Sequence, residues 1–186
     1  MSKSEFILWL DVETSGALPG CDVLLEVSGI ITTMSGEKIS NEYSTLIEQP
    51  NLSEIITQTD PKIVHMHDSS GLWEDLWNES GMSVNDADES IVMWLENYLN
   101  DESIVYLGGN SINLDRDFVK MYLPELFSRL SHRTIDMTSI SLAISRNTSI
   151  AMYQHNHQHR ALPDVRDSIA DYTHFLNKIK YFNQED

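Results

Sequence analysis

The chain has 186 residues, of which 41% are hydrophobic, enough for one sizeable core. No apolar run approaches the length needed to cross a bilayer, and no signal peptide's hydrophobic stretch precedes the first strand, so we expect one cytoplasmic domain over residues 1–186 with no membrane partner. Cys21 is the single cysteine, which excludes an internal disulfide and a thiolate metal centre.

The formal net charge of −17 is unevenly distributed along the chain. Residues 1–102 hold 20 acids against 3 Lys/Arg, whereas residues 103–186 hold 9 of each. A protein that follows long duplex DNA needs a basic stripe, but one that grips a few nucleotides through metal ions and arginines tolerates an acidic surface. The charge therefore favours a short substrate, although in most acidic soluble proteins such charges only solvate the surface.

The first half of the chain predicts three strands and a helix. Residues 5–11, 24–32 and 39–47 are rich in apolar and β-branched side chains, and the turn signal at residues 34–37 predicts a hairpin between the last two strands. Residues 51–82 are mixed and predict short helices. Ser83 is a good N-cap for a helix that we expect to end near residue 100.

The second half predicts alternating strands and helices. We expect a buried strand at 103–107, a helix at 115–122, a strand at 134–136, a helix at 138–145, and a last helix from about Pro163 to about Lys180, after a polar loop at 147–158. The order predicts an α/β fold with a mixed five-stranded sheet flanked by helices, which suits a ribonuclease-H-like architecture.

Four acids occupy positions typical of a metal site. Asp11 and Glu13 end an apolar strand and lie on the same face of it. Asp115 ends the segment 108–115, which follows a predicted strand, and Asp164 lies five residues after His159. If the fold brings the four carboxylates together with His159, they form a two-metal phosphodiesterase site, with the imidazole as the general base.

Other interpretations of these residues stay open. An Asp-x-Glu pair at a strand end occurs by chance in many proteins. Asp115 and Asp164 also fit as ordinary first-turn acids, which the helix dipole favours. The alternation of His155, His157 and His159 could form a zinc or nickel site.

Several longer segments together resemble the oligoribonuclease family of Asp-Glu-Asp-Asp-His 3′-to-5′ exonucleases. They are Asp11–Gly16, Gly109–Phe118, Tyr122–Leu126, His132–Ser139 and His159–Ser168. The resemblance implies that Asp11, Glu13, Asp115 and Asp164 hold two divalent cations, Mg²⁺ or Mn²⁺, and that His159 is the base. It also implies a homodimer that degrades RNA of about two to five nucleotides to nucleoside 5′-monophosphates.

The resemblance also implies a set of substrate-binding residues. Ser111, Arg133 and Thr138 match the family's cap on the 5′ phosphate of a dinucleotide, and His67 matches the histidine of the family's His-x-x-Ser-Gly-Leu segment. Where the family wedges bases with a leucine and a tryptophan, this chain has Ala17, with Leu18 beside it, and Lys62. The tyrosine that the family supplies from its partner subunit is His132 here.

Two other functions fit the same residues. One is an exonuclease of the same fold that acts on longer single-stranded DNA or RNA, for proofreading or trimming. The other is a catalytically silent interaction module, which the acidic surface suggests, although all five catalytic residue types are present.

Overall fold

A computed structural model describes residues 3–147 and 158–182. Within these ranges five strands form one sheet: β1 (Glu5–Thr14), β2 (Leu24–Thr33), β3 (Tyr43–Leu46), β4 (Ile104–Gly109) and β5 (Leu130–Asp136). The order across the sheet is β3-β2-β1-β4-β5; β1 is antiparallel to β2 and parallel to β4, β2 is antiparallel to β3, and β4 is parallel to β5. The predicted mixed five-stranded sheet is confirmed.

The described residues also form eight helices. They are α1 (Leu52–Gln58), α2 (Pro61–Ser69), α3 (Leu72–Asn78), α4 (Val84–Glu96), α5 (Asn113–Tyr122), α6 (Pro124–Arg129), α7 (Met137–Asn147) and α8 (Ala161–Phe182). None of them is both long and apolar enough to cross a bilayer. Most of the predicted loop at 147–158, including His155 and His157, lies outside the described residues.

The two largest differences from the predicted strand boundaries are at β3 and β5. The strand expected at 39–47 is regular only over β3, because the Ser40 hydroxyl, rather than a backbone carbonyl, accepts the hydrogen bond of Ile31 N at 2.9 Å. The strand expected at 134–136 begins four residues earlier, since an irregularity lets Leu130 pair with Val105 before the regular ladder starts at Leu107 and Thr134.

Alternation along β1 separates the two layers of helices. Leu8, Leu10 and Val12 enter a core shared with α4, α5 and α6. Ile7 and Trp9 face the opposite side, where α8 packs and where the Trp9 ring lies 5.1 Å from that of Tyr172. Because side chains alternate along a strand, Asp11 and Glu13 continue the row of Trp9 toward the start of α8.

Candidate active site

The candidate site lies at the sheet edge where the parallel strands β1 and β4 end. Asp11 and Glu13 belong to the last part of β1, and Asp115 lies in the first turn of α5, which follows β4. Asp164 lies in the first turn of α8. In mixed sheets with helices on both faces, the carboxyl ends of parallel strands form the usual ligand-binding crevice.

The structure brings the four predicted acids together. One carboxylate oxygen each from Asp11, Glu13 and Asp164 lies within 4.8 Å of the other two. Asp115 reaches the site from the other layer, and its Oδ1 accepts a hydrogen bond from Val12 N at 3.0 Å, between the two acids of β1. The four acids therefore lie close together, and their role as metal ligands stays a prediction.

Burial and mutual repulsion make these acids difficult to ionise together. Burial is the main cause that raises the pKa of Asp11 well above its usual value, and the charges of Asp115 and Glu13 add to it. The pKa of Glu13 rises to about 8 and that of Asp115 to about 7, again mainly through burial. Ionised carboxylates in such a place need positive charge nearby.

The donor set of this site fits hard divalent cations. Its ligands are all carboxylate oxygens, which suit Mg²⁺ and Mn²⁺, and the one thiol of the chain, Cys21, is exposed. Asp11, Glu13 and Asp164 are the residues that would hold a cation directly, with Asp115 beside them.

The two histidines predicted for the site differ in exposure. His159 is exposed at the residue before Arg160, and it lines an open pocket together with Ser69 and Ser70 at the end of α2. His67 is fully buried, and its Nε2 lies 2.9 Å from the carbonyl oxygen of Thr14. Because its side chain is buried, His67 cannot touch the substrate, contrary to the substrate contact that the sequence predicted. It contacts the backbone at the end of β1 instead.

The turn after β1 is organised by Asp22. Its carboxylate accepts hydrogen bonds from Leu18 N at 2.9 Å and from the Ser15 hydroxyl at 3.3 Å. A Cβ atom at Gly16 would lie 2.4 Å from that carboxylate, which explains the small residue there. The turn leaves Ala17 and Leu18 exposed beside the site, with 65% of Leu18 accessible. Lys62 is exposed on α2.

Two of the three predicted cap residues are in contact. Ser111 N donates to the Thr138 hydroxyl at 2.9 Å, and the two hydroxyls lie 3.1 Å apart. Asp136 fixes the pair, since its Oδ1 accepts from the backbone N–H groups of both residues. Arg133 and His132 are exposed on β5, and the Tyr106 hydroxyl, which lies near Arg133, donates to Glu5 Oε1.

Sequence reasoning missed three residues that hold the site together. Glu26, Arg160 and Asp136 contact the backbone or side chains of site segments, but none belongs to the predicted set. A signal for Glu26 was present, because it is the one charge within the apolar run of β2. A charge in a strand buried on both faces is rarely retained without a partner.

Comparison with known proteins gives relatives over nearly the whole chain. The oligoribonuclease of Ruthia magnifica is 30% identical over 179 residues, which cover 95% of this chain and 97% of that protein. The oligoribonuclease of Streptomyces griseus is 28% identical over 177 residues, covering 93% of this chain and 86% of that protein. No protein-family model matches the sequence.

Solved exonuclease structures share the fold. E. coli ExoI in its zinc-bound complex with single-stranded DNA has a TM-score of 0.71 and 13% identity over 95% of this chain. Exonuclease I of Methylocaldum szegediense has a TM-score of 0.61 and 20% identity over 89% of this chain. The chain spans 41% and 39% of those longer proteins, so the likeness concerns the fold, and it confirms the predicted ribonuclease-H-like architecture.

Proposed function

Because the chain belongs to the oligoribonuclease family, we propose that it is a single-domain 3′-to-5′ exoribonuclease that hydrolyses short RNA to nucleoside 5′-monophosphates. The observation that carries the proposal is the cluster of Asp11, Glu13 and Asp164 oxygens within 4.8 Å of one another, with Asp115 hydrogen-bonded beside it. Few arrangements other than a cation site hold so many buried acids together.

Two divalent cations, Mg²⁺ or Mn²⁺, would supply the positive charge that activates water and stabilises the leaving oxygen of a phosphodiester. Asp11, Glu13, Asp115 and Asp164 would hold them. His159 would take the proton of the attacking water on an imidazole nitrogen, since histidine is the side chain that serves most often as a general base. Its exposed position would let that proton pass to solvent before the next turnover.

Residues outside the acidic cluster support a short substrate. The hydroxyls of Ser111 and Thr138 would bind the 5′ phosphate of a short substrate, and the exposed Arg133 would pair with it. Leu18 would contact a base. The exposed Arg133 and His132 on the edge strand β5 also support the homodimer that the family implies, in which His132 would approach the partner's site.

A second candidate is an exonuclease for longer single strands. It is favoured by the fold shared with an exonuclease whose structure contains single-stranded DNA. The two candidates differ in length preference, since a cap on the 5′ phosphate favours a dinucleotide over a longer strand, whose 5′ phosphate lies out of reach.

A length series of labelled oligomers tests the proposal. Chelator-treated protein is mixed with RNA or DNA of about 2, 5 and 20 nucleotides, without metal and with Mg²⁺ or Mn²⁺. We expect metal-dependent release of 5′-mononucleotides, fastest on the RNA dinucleotide. Asp11→Asn and His159→Ala should abolish it, whereas Asp117→Asn, an exposed acid on the same helix as Asp115, should not.

No release from any oligomer with either cation would overturn the proposed activity, as would full activity of Asp11→Asn. A faster reaction on the 20-mer than on the dinucleotide would instead establish the second candidate.

A further inference from the structure

We infer that Glu26 and Arg160 act as a positioning pair, which fixes His159 and the first turn of α8 against the acids of β1. The inference rests on the proposed function, because it assigns a task to residues outside the metal cluster. Neither side chain is needed as a ligand or as a base. Their role comes from their position, because they connect β2 to the start of α8.

The contact between the two side chains is a planar fork. Arg160 Nε lies 3.1 Å from Glu26 Oε2, and Arg160 Nη2 lies 2.9 Å from Glu26 Oε1. Paired N–H donors that meet both carboxylate oxygens fix orientation as well as distance. The Glu26 side chain is only 5% exposed, so water competes little for this contact.

Glu26 also holds the backbone at the start of α8. Its Oε2 accepts a hydrogen bond from Ala161 N at 3.0 Å, which satisfies an N–H that the helix itself leaves open. Arg160 Nη1 lies 2.6 Å from Oδ2 of Asp75 on α3. One arginine thus joins β2, α3 and α8 at a single point.

Arg160 lies between the two site residues that this end of the chain supplies. His159 precedes it and has a φ of +52°, in the left-handed region that residues with a Cβ adopt only when their surroundings hold them there. The carbonyl oxygen of Arg160 accepts the N–H of Asp164 at 3.2 Å. A shift of Arg160 would therefore move the proposed base and a proposed metal ligand together.

Arg160 also neutralises the negative charge of Glu26 next to the acidic cluster. Glu26 on β2 lies opposite Glu13 on β1, so an unpaired Glu26 would place a further buried negative charge beside the four acids. Arg160 neutralises it. The charges of Glu26 and Arg160 act on the pKa of Glu13 in opposite directions, which agrees with this arrangement.

The chain offers a matched control on the same helix. Arg166 also makes a two-point contact with a glutamate, through Nε at 3.1 Å from Glu42 Oε1 and Nη2 at 2.5 Å from Glu42 Oε2. That pair joins α8 to the residue just before β3. Its arginine is 53% exposed, however, and it contacts no site residue among those described.

The test compares Arg160→Gln, Arg160→Lys and Arg166→Gln in steady-state hydrolysis of one short RNA at saturating Mn²⁺. We expect Arg160→Gln to lower kcat by at least about tenfold while KM changes by less than about threefold. Arg160→Lys, which keeps the charge but loses the fork, should recover part of the loss. Arg166→Gln should keep the wild-type kcat, with thermal denaturation reported for every variant.

Glu26→Gln keeps the test decisive if Arg160→Gln does not fold. The amide oxygen can still accept the Ala161 N–H, so we expect a folded protein with a kcat between those of wild type and Arg160→Gln. A wild-type kcat in Arg160→Gln or in Glu26→Gln would overturn the inference, as would equal losses of kcat in the Arg160 and Arg166 variants. An inactive wild-type protein would instead defeat the proposed function.

Discussion

The Nδ1 atom of His67 lies 3.7 Å from Oε2 of Glu13, and the two side chains are 0% and 9% exposed. Because Nε2 of His67 faces the carbonyl oxygen of Thr14, that nitrogen must donate. Burial is the main cause that lowers the pKa of His67, so the ring is neutral and Nδ1 turns a lone pair toward Glu13. A lone pair beside a carboxylate favours either a proton on Glu13 or a cation close to it.

This arrangement predicts that the metal-free protein loses stability as the pH rises. The folded pKa values are about 8 for Glu13 and about 7 for Asp115, above the ordinary values of 4.5 and 3.8. Between the ordinary and the raised values the folded state binds more protons than the unfolded state, so the free energy of unfolding falls with pH. Thermal denaturation in chelator should show a lower Tm at pH 8 than at pH 5.5, and millimolar Mn²⁺ should reverse most of the loss.

Glu42 supplies the matched control for this prediction. Its hydrogen bond to Arg166 is the main cause that lowers the pKa to about 2, so Glu42 is ionised in the folded and unfolded states throughout that range. Glu13→Gln should flatten the dependence of Tm on pH, whereas Glu42→Gln should leave the slope unchanged. A slope in Glu13→Gln as steep as that of the wild type would contradict the assignment.

A second prediction concerns stability alone. Asp88 is 5% exposed, and its two oxygens accept the backbone N–H groups of Glu125 and Leu126 at 2.9 Å each, at the start of α6. Asp88→Ala should lower the free energy of unfolding by about 1–3 kcal/mol, because two buried donors lose their partner. Urea denaturation measures this change. Under conditions in which Asp88→Ala is folded, it should keep its nuclease activity.

Asp101 is the control for Asp88. Its carboxylate pairs with Arg129 at 3.0 Å but is 91% exposed, and solvent screens such a pair. Asp101→Ala should change the free energy of unfolding by less than about 0.5 kcal/mol. Similar losses in the two variants would show that the buried cap of α6 contributes little.

The parts of the fold that could be predicted follow local patterns. The apolar run that ends in Asp11 and Glu13 identifies β1, and alternation along that run places both acids on one face. The helical spacing of apolar residues after Ser83 likewise predicts α4, and the Ser83 hydroxyl accepts a hydrogen bond from the backbone N–H of Asp86 at 3.1 Å. Such signals depend on neighbours within a few residues.

What could not be predicted depends on contacts between distant parts of the chain. Glu26 and Arg160 are 134 residues apart, and neither belongs to a motif that identifies the other. The burial of His67 likewise depends on how α2 and α3 pack beneath β1, where the ring meets Trp73 at 5.1 Å. A one-dimensional pattern records the residue types but not these distances.

A third prediction tests the contact between Leu18 and a base. Leu18 is 65% exposed at the tip of the turn that Asp22 fixes beside the cluster. Leu18→Ala should raise KM for an RNA dinucleotide by about fivefold, which corresponds to about 1 kcal/mol of lost contact with a base. Met93→Ala is the control, since Met93 is a side chain of similar exposure, 67%, on α4 in the helix layer opposite α8.

A fourth prediction concerns the 5′ phosphate. The Thr138 hydroxyl accepts the N–H of Ser111 at 2.9 Å, and Thr138→Val removes that hydroxyl while keeping the shape of the side chain. Rates should be compared on a dinucleotide with a 5′ phosphate, on the same dinucleotide with a 5′ hydroxyl, and on a 20-mer. We expect Thr138→Val and Arg133→Gln to lose activity on the first substrate and to change little on the other two.

The comparison of substrates separates the cap from the catalytic cluster. Damage to the acids or to His159 would slow all three substrates by the same factor, because each needs the same bond broken. A phosphate cap acts only where a 5′ phosphate lies within reach of Ser111 and Thr138, about two nucleotides from the cleaved end. Equal losses of Arg133→Gln on the phosphorylated and hydroxyl dinucleotides would remove Arg133 from the cap.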